Sequence, residues 1–180
     1  MATVSDKSLP DPAAYSVSRP CTHEEFLAAA KVYARAVVRA TALSVTVSDL
    51  SWTVSTRAKR RAGAVRHRNG EPESVSLAWR QFEHGGWSAT ASTVRHELIH
   101  VHLLNENNDP GHGPAFRQLA ETLETTVHCQ RFTDPEWWVH CEDCETRLAR
   151  YRRSKLVANP AAYQCGNCGG DLRVDPGDPS

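Results

Sequence analysis

His96-Glu97-Leu98-Ile99-His100 brings two imidazoles and a carboxylate into five residues. On a helix, residues four apart share a face, so His96 and His100 can aim two ring nitrogens at one metal ion. Glu97 can reach a water at that metal without being a ligand itself. Zinc with three protein ligands and an open fourth position lowers the pKa of such a water to about 7, and a nearby carboxylate takes its proton. The chemistry this predicts is water attack on a polarised carbonyl. Val94, Leu98, Ile99, Val101 and Leu103 predict that the helix is buried, where histidines need partners.

The third ligand has several candidates. His102 is two residues from His100 and points to the wrong side of the helix. Glu121 and Glu124 lie on a following helix. His112 lies beyond the turn Asn107-Asn108-Asp109-Pro110-Gly111. That turn can fold the chain back and set His112 beside the first two histidines, and loop geometry favours it. Arg117 and His84 are candidate stabilisers of a developing oxyanion, although ordinary surface or core roles suit both. His23, His67, His128 and His140 receive no metal assignment.

A second cluster has a different spacing. Cys141-x2-Cys144 is followed, after residues 145–164, by Cys165-x2-Cys168. Two such pairs at this distance predict a structural zinc ribbon whose four thiolates leave no open position. Cys21 and Cys129 are left over. Two runs concentrate positive charge. One is Arg57, Lys59, Arg60, Arg61, Arg66 and Arg68; the other is Arg147, Arg150, Arg152, Arg153 and Lys155, with Tyr151 among them. Clustered cations can follow a phosphate backbone. Tyr151, Trp137 and Trp138 can stack on unpaired bases. A solvated hairpin face explains the same charges without any partner.

These residues need elements to hold them. Thr22 and Glu25 form a capping-box pattern ahead of a helix reaching about Ala40, with Phe26, Leu27, Ala30, Tyr33, Ala34, Val37 and Val38 as its stripe. Alternation predicts strands at 43–47 and 50–56, a third at 61–67, and another through Val75, Leu77 and Trp79. Gly85-Gly86 breaks the pattern. A helix over about 89–104 carries the histidines. Pro114 suits the start of another that ends near Val127. Residues 132–140 read as a linker to two cysteine knuckles around a basic hairpin.

The chain has 180 residues, 40% hydrophobic and 23% charged, with 21 basic and 21 acidic side chains. That length allows one core plus a small appendage, and the balanced charge excludes a partner choice made by net charge alone. No apolar run is long enough to span a bilayer. The opening residues lack the apolar stretch of a signal peptide, so a cytoplasmic location is expected, nuclear or nucleoid-associated included. Six cysteines in a reducing compartment are ligands or free thiols rather than disulfides.

Val94-Arg95-His96-Glu97-Leu98-Ile99-His100, then Asn107-Asn108-Asp109, then Gly111-His112-Gly113-Pro114-Ala115-Phe116, resembles the SprT-like metallopeptidases. That family includes a protease acting on DNA–protein crosslinks. The resemblance implies that His96, His100 and His112 bind a catalytic zinc and that Glu97 is the catalytic base. It also implies a protein substrate, bound or crosslinked to DNA, and single-stranded DNA as a partner. The expected fold is α+β: a zincin-like metallopeptidase core of helices on a small mixed sheet, with a C-terminal zinc ribbon. The expected divisions are 1–20 a flexible leader, 21–131 the metallopeptidase domain, 132–174 the ribbon, and 175–180 a flexible tail. Two zinc ions follow, one catalytic and one structural. Two other functions fit the same residues: a nucleic-acid-binding zinc protein with a vestigial site, and a general cytosolic peptidase.

Overall fold

In the computed structural model the described residues are 8–128 and 132–177; Cys129 and the ends of the expected leader and tail lie outside them. The chain divides into two units, Met1–Phe132 and Thr133–Ser180, each built on a three-stranded sheet. The class is mixed α+β. Among the described residues no helix is long and apolar enough to cross a membrane.

The first unit opens with α1, His23–Ala40. Its N-terminus carries the expected reciprocal cap: the Thr22 hydroxyl accepts from Glu25 N–H, and the Glu25 carboxylate accepts from Thr22 N–H. Two of the helix's orphan donors are satisfied this way. Phe26, Ala30, Tyr33, Ala34 and Val37, spaced along one face, are fully buried. The sheet follows: β1 Ser51–Ser55, β2 Gly63–Arg68 and β3 Glu71–Ala78. β3 is central, parallel to β1 and antiparallel to β2. Val75 and Leu77 turn one face of β3 into the core. Asn69 and Gly70, both at positive φ, make the tight turn between β2 and β3. That is the two-residue hairpin an Asn-Gly pair favours.

The helix that carries His96 and His100, α2, runs from Trp79 to Asn107 with one interruption at Gly86 (φ 65°, ψ −163°). The expected strand residue Trp79 therefore begins a helix, which bends at Gly86, ten residues before His96, and then resumes. A residue with a Cβ is strained at that φ. The break is spanned by buried Gln81, whose amide donates to Ala89 O and to the Thr93 hydroxyl. Val94, Leu98, Ile99 and Val101 lie in the same core as α1 and β3. α3 is Pro114–Thr122, shorter than expected. It ends because Glu124 adopts positive φ and Thr125 N–H returns to Ala120 O.

Two other expectations change. Residues 8–20 are not a loose leader: Leu9, Tyr15 and Val17 pack on the core, and Trp87 donates its indole N–H to Pro12 O at 2.7 Å. A few apolar side chains suffice to dock a segment whose prolines already limit its freedom. Residues 43–46 are not a strand. Ser44 N–H donates to His102 Nδ1, and Asn105 donates to Ser44 O. Side chains of α2 satisfy the backbone that a neighbouring strand would otherwise pair.

In the second unit β4 (Trp137–Cys141) is central, antiparallel to β5 (Arg147–Arg150) and β6 (Leu172–Pro176). Residues 137–140 are thus strand rather than linker. The basic stretch is β5, a turn, and a short helix α4, Lys155–Ala158, capped by Ser154, rather than one hairpin.

Candidate metal centre

α2 sets two imidazoles on the face opposite its buried stripe. His100 Nε2 lies 3.2 Å from His96 Nε2, and His112 Nε2 lies 3.2 Å from the same atom. Tetrahedral zinc with bonds of about 2.0–2.1 Å spaces its nitrogen donors at about 3.4 Å, so the three nitrogens fit that ion. Burial lowers the pKa of His96 and His100, the latter to about 4, and mutual repulsion adds to it. His112 is lowered by burial first and then by repulsion from His128. Neutral imidazoles are the form that binds metal. His96 Nδ1 sits 2.8 Å from Thr126 O. A carbonyl only accepts, so Nδ1 carries the proton and Nε2 keeps its lone pair for the metal.

His112 reaches the cluster through the turn after α2. Asn108 closes the helix at φ 52°, its N–H returning to Leu104 O. Asp109 Oδ1 then accepts from Gly111 N–H at 2.8 Å, an Asx turn that tightens the loop. Gly113 precedes Pro114, which starts α3. Glu121 and Glu124 are outside the donor group, which among the described residues comprises His96, His100 and His112. His102 faces Ser44, as the helical spacing required.

Glu97 is 3% exposed. Burial pushes its carboxyl up to about 8, against the opposing pull of Arg61 and of a hydrogen bond from Val65 N–H. Its carboxylate therefore lies along β2, an edge strand of the sheet among the described residues. A Cβ on Gly63 would stand 2.5 Å from Glu97 Oε1. Only glycine lets the strand pass so close. Gly63 was not singled out from sequence; a glycine opening a strand directly after a basic run was the available signal.

The candidate oxyanion stabilisers each make a hydrogen bond to a backbone carbonyl. Arg117 donates to His112 O at 3.3 Å, and His84 Nδ1 lies 2.7 Å from Arg80 O. Of the histidines without an assignment, His23 stacks edge-on against Trp79 and His140 pairs with Asp175 at 3.4 Å.

In the second unit Cys141, Cys144, Cys165 and Cys168 form a second donor group. The Sγ separations are 3.4 Å for Cys141–Cys168 and 3.7 Å for Cys144–Cys165. Four sulfurs at about 2.3 Å from one zinc stand about 3.8 Å apart, so this set fits too. Gly169, at φ 78°, donates its N–H to Cys165 O and turns the second knuckle. Arg147 and Arg150 lie on β5, Arg152 and Arg153 are exposed in the turn after it, and Lys155 opens α4. The Arg147 guanidinium carbon is 3.5 Å from the Trp138 ring centroid. Tyr151 is half-buried between these arginines in sequence.

Residues 28–146 match the SprT-like family, a span holding the three histidines, Glu97 and the first cysteine pair. The chain is 30% identical to Protein SprT-like of Geobacillus sp. (strain WCH70) over 115 residues, which is 59% of this chain and 72% of that one. It is 29% identical to Protein SprT-like of Streptococcus gordonii (strain Challis) over 96 residues, covering 52% of this chain and 63% of the relative. With a match over more than half its length and its three-histidine cluster inside that match, the chain belongs to the SprT-like family.

Proposed function

We propose that this chain is a zinc-dependent endopeptidase of the HExxH type with a zincin-like core, acting on proteins bound or crosslinked to DNA. One observation carries the reading: three neutral imidazole nitrogens at zinc spacing, with buried Glu97 next along the same helix and against the open edge of β2. A bound zinc would polarise the scissile carbonyl and acidify a water. Glu97 takes the proton from the attacking water and passes it to the leaving amide nitrogen. An extended substrate segment can pair with the free side of β2, which brings its backbone to Glu97. The cysteine set would hold a second zinc with no open position and so serve folding alone.

The DNA half of the reading is supported by the cations of 147–155 and the aromatic residues beside them. Arg147 already lies over Trp138, an observation that favours a peptidase without a nucleic-acid role, because that pair is then internally engaged.

The test is cleavage of a DNA-binding protein by the purified chain, with and without single-stranded DNA, beside Glu97→Gln. Two zinc ions per chain in native mass spectrometry are expected for both proteins. Cleavage should need Glu97, falling by about 1,000-fold in the variant, and should rise with DNA. Unchanged cleavage by Glu97→Gln would remove the mechanism. Cleavage indifferent to DNA would leave a general peptidase. Two bound zincs without cleavage would leave a binding module.

A further inference from the structure

The three-histidine cluster is closed on its inner side. Phe116 is fully buried, and its ring centroid lies 4.8, 4.7 and 4.4 Å from those of His96, His100 and His112. Substrate must approach from the solvent side, where His112 is exposed. A fourth imidazole stands beside it. The His128 ring centroid is 6.2 Å from that of His112, at 72°. His128 is exposed and does not belong to the converging donor group.

Its position is set by the backbone before it. Thr125 donates its hydroxyl to Ser92 O at 2.7 Å, Arg95 donates to Glu124 O at 2.9 Å, and Thr126 O meets His96 Nδ1. Ser92, Arg95 and His96 occupy successive positions along one side of α2. Residues 124–126 are therefore tied to the helix that carries the site, and His128 follows two residues later. Its proximity is also felt electrically: after burial, His128 is among the groups that lower the pKa of both His96 and His112.

Amide hydrolysis places negative charge on the carbonyl oxygen, and a donor aimed there lowers the barrier. Arg117 and His84 are bonded to backbone carbonyls, as described above. We infer that His128 is a further catalytic residue, donating a ring N–H to the scissile carbonyl oxygen as it becomes negatively charged. Imidazole carries at least one N–H in either charge state, so the role does not depend on titration. This inference rests on the peptidase reading.

The experiment uses the full zinc-loaded chain and the variants His128→Ala and His128→Gln. Three quantities are measured: zinc content by native mass spectrometry, affinity for a phosphinic peptide built on an Ala–Ala isostere, and kcat and KM on a protein substrate. The phosphinic group mimics the tetrahedral state. His128→Ala should keep both zincs, lose about 100-fold in kcat and in phosphinic-peptide affinity, and change KM little. His128→Gln, which retains an N–H, should recover part of both. A His128→Ala protein with wild-type kcat and affinity would overturn the inference while leaving the peptidase reading intact. Loss of a zinc from His128→Ala would overturn it as well, making His128 part of the metal's support. A wild-type chain that neither cleaves nor binds the phosphinic peptide would overturn the peptidase reading, and this inference with it.

Discussion

The two donor clusters sit in units with very different amounts of apolar core around them. In the first unit α1, the sheet, α2 and α3 share one core, and His96 and His100 hang on a helix whose opposite face is already buried. In the second, the buried apolar side chains among the described residues are Val139, Val157 and two of the cysteines themselves, Cys141 and Cys165. A scaffold that folds without its metal can leave a coordination position open for chemistry. A unit whose candidate ligands are half its interior would need the metal to have an interior at all.

The largest expected effect tests that contrast directly. Chelation of zinc, or Cys141→Ser, should unfold the second unit, since structural zinc contributes on the order of 10 kcal/mol or more to such modules. The same chelation should leave the first unit folded. Amide hydrogen exchange reads both at once: residues 137–176 should lose protection while α1 and α2 keep theirs. Protection that persists in β4 and β6 after complete zinc removal would break the comparison.

Gly63 sharpens the comparison from the catalytic side. A Cβ there would push on the Glu97 carboxylate, the far end of a side chain that has little free space around it. Gly63→Ala should therefore move the carboxylate rather than disrupt the core. We expect cleavage to fall about 100-fold, the scale of an ångström-sized misplacement of a reacting group, with zinc content and melting temperature nearly unchanged. Melting that drops with activity would mean that Gly63 serves packing, and that the near approach of β2 to Glu97 has no catalytic consequence.

Local signals in the sequence carried much of this. The capping box at Thr22 and Glu25, most of the stripe of α1 and the four-residue spacing of His96 and His100 depend on neighbours within a few positions, and each is legible without a fold. His112 was reachable because Pro110, Gly111 and Pro114 bound a short loop. What escaped depends on contacts distant in sequence. Residues 43–46 alternate like a strand, yet their hydrogen bonds go to His102 and Asn105. Residues 8–17 look too polar to pack, yet Pro12 O meets an indole from α2. The closeness of Gly63 to Glu97 and of His128 to His112 depends on how the sheet and the α3 exit are laid against α2, which no local spacing encodes.

The smallest predicted effect concerns the residue beside the first histidine of the cluster. Arg95 is buried at 8% exposure, donating to the Tyr33 hydroxyl and to Glu124 O, while its Nε has no acceptor among the described residues. A buried guanidinium with one N–H unmatched is costly to keep, and its two made bonds join α1 to the turn that leaves α3. That turn presents Thr126 O to His96 Nδ1. Arg95→Met retains most of the volume and removes the tie. Partners of metal-bound histidines are worth 10- to 100-fold in affinity, and because Arg95 acts through one further group the lower end applies, about tenfold. A competition titration against a chromophoric chelator should show the His-site zinc weakened and the cysteine-site zinc unmoved. Equal weakening of both would show general loosening of the protein. No weakening of either would show that Thr126 O holds its place without Arg95, leaving the Ser92–Thr125 hydrogen bonds to fix the turn.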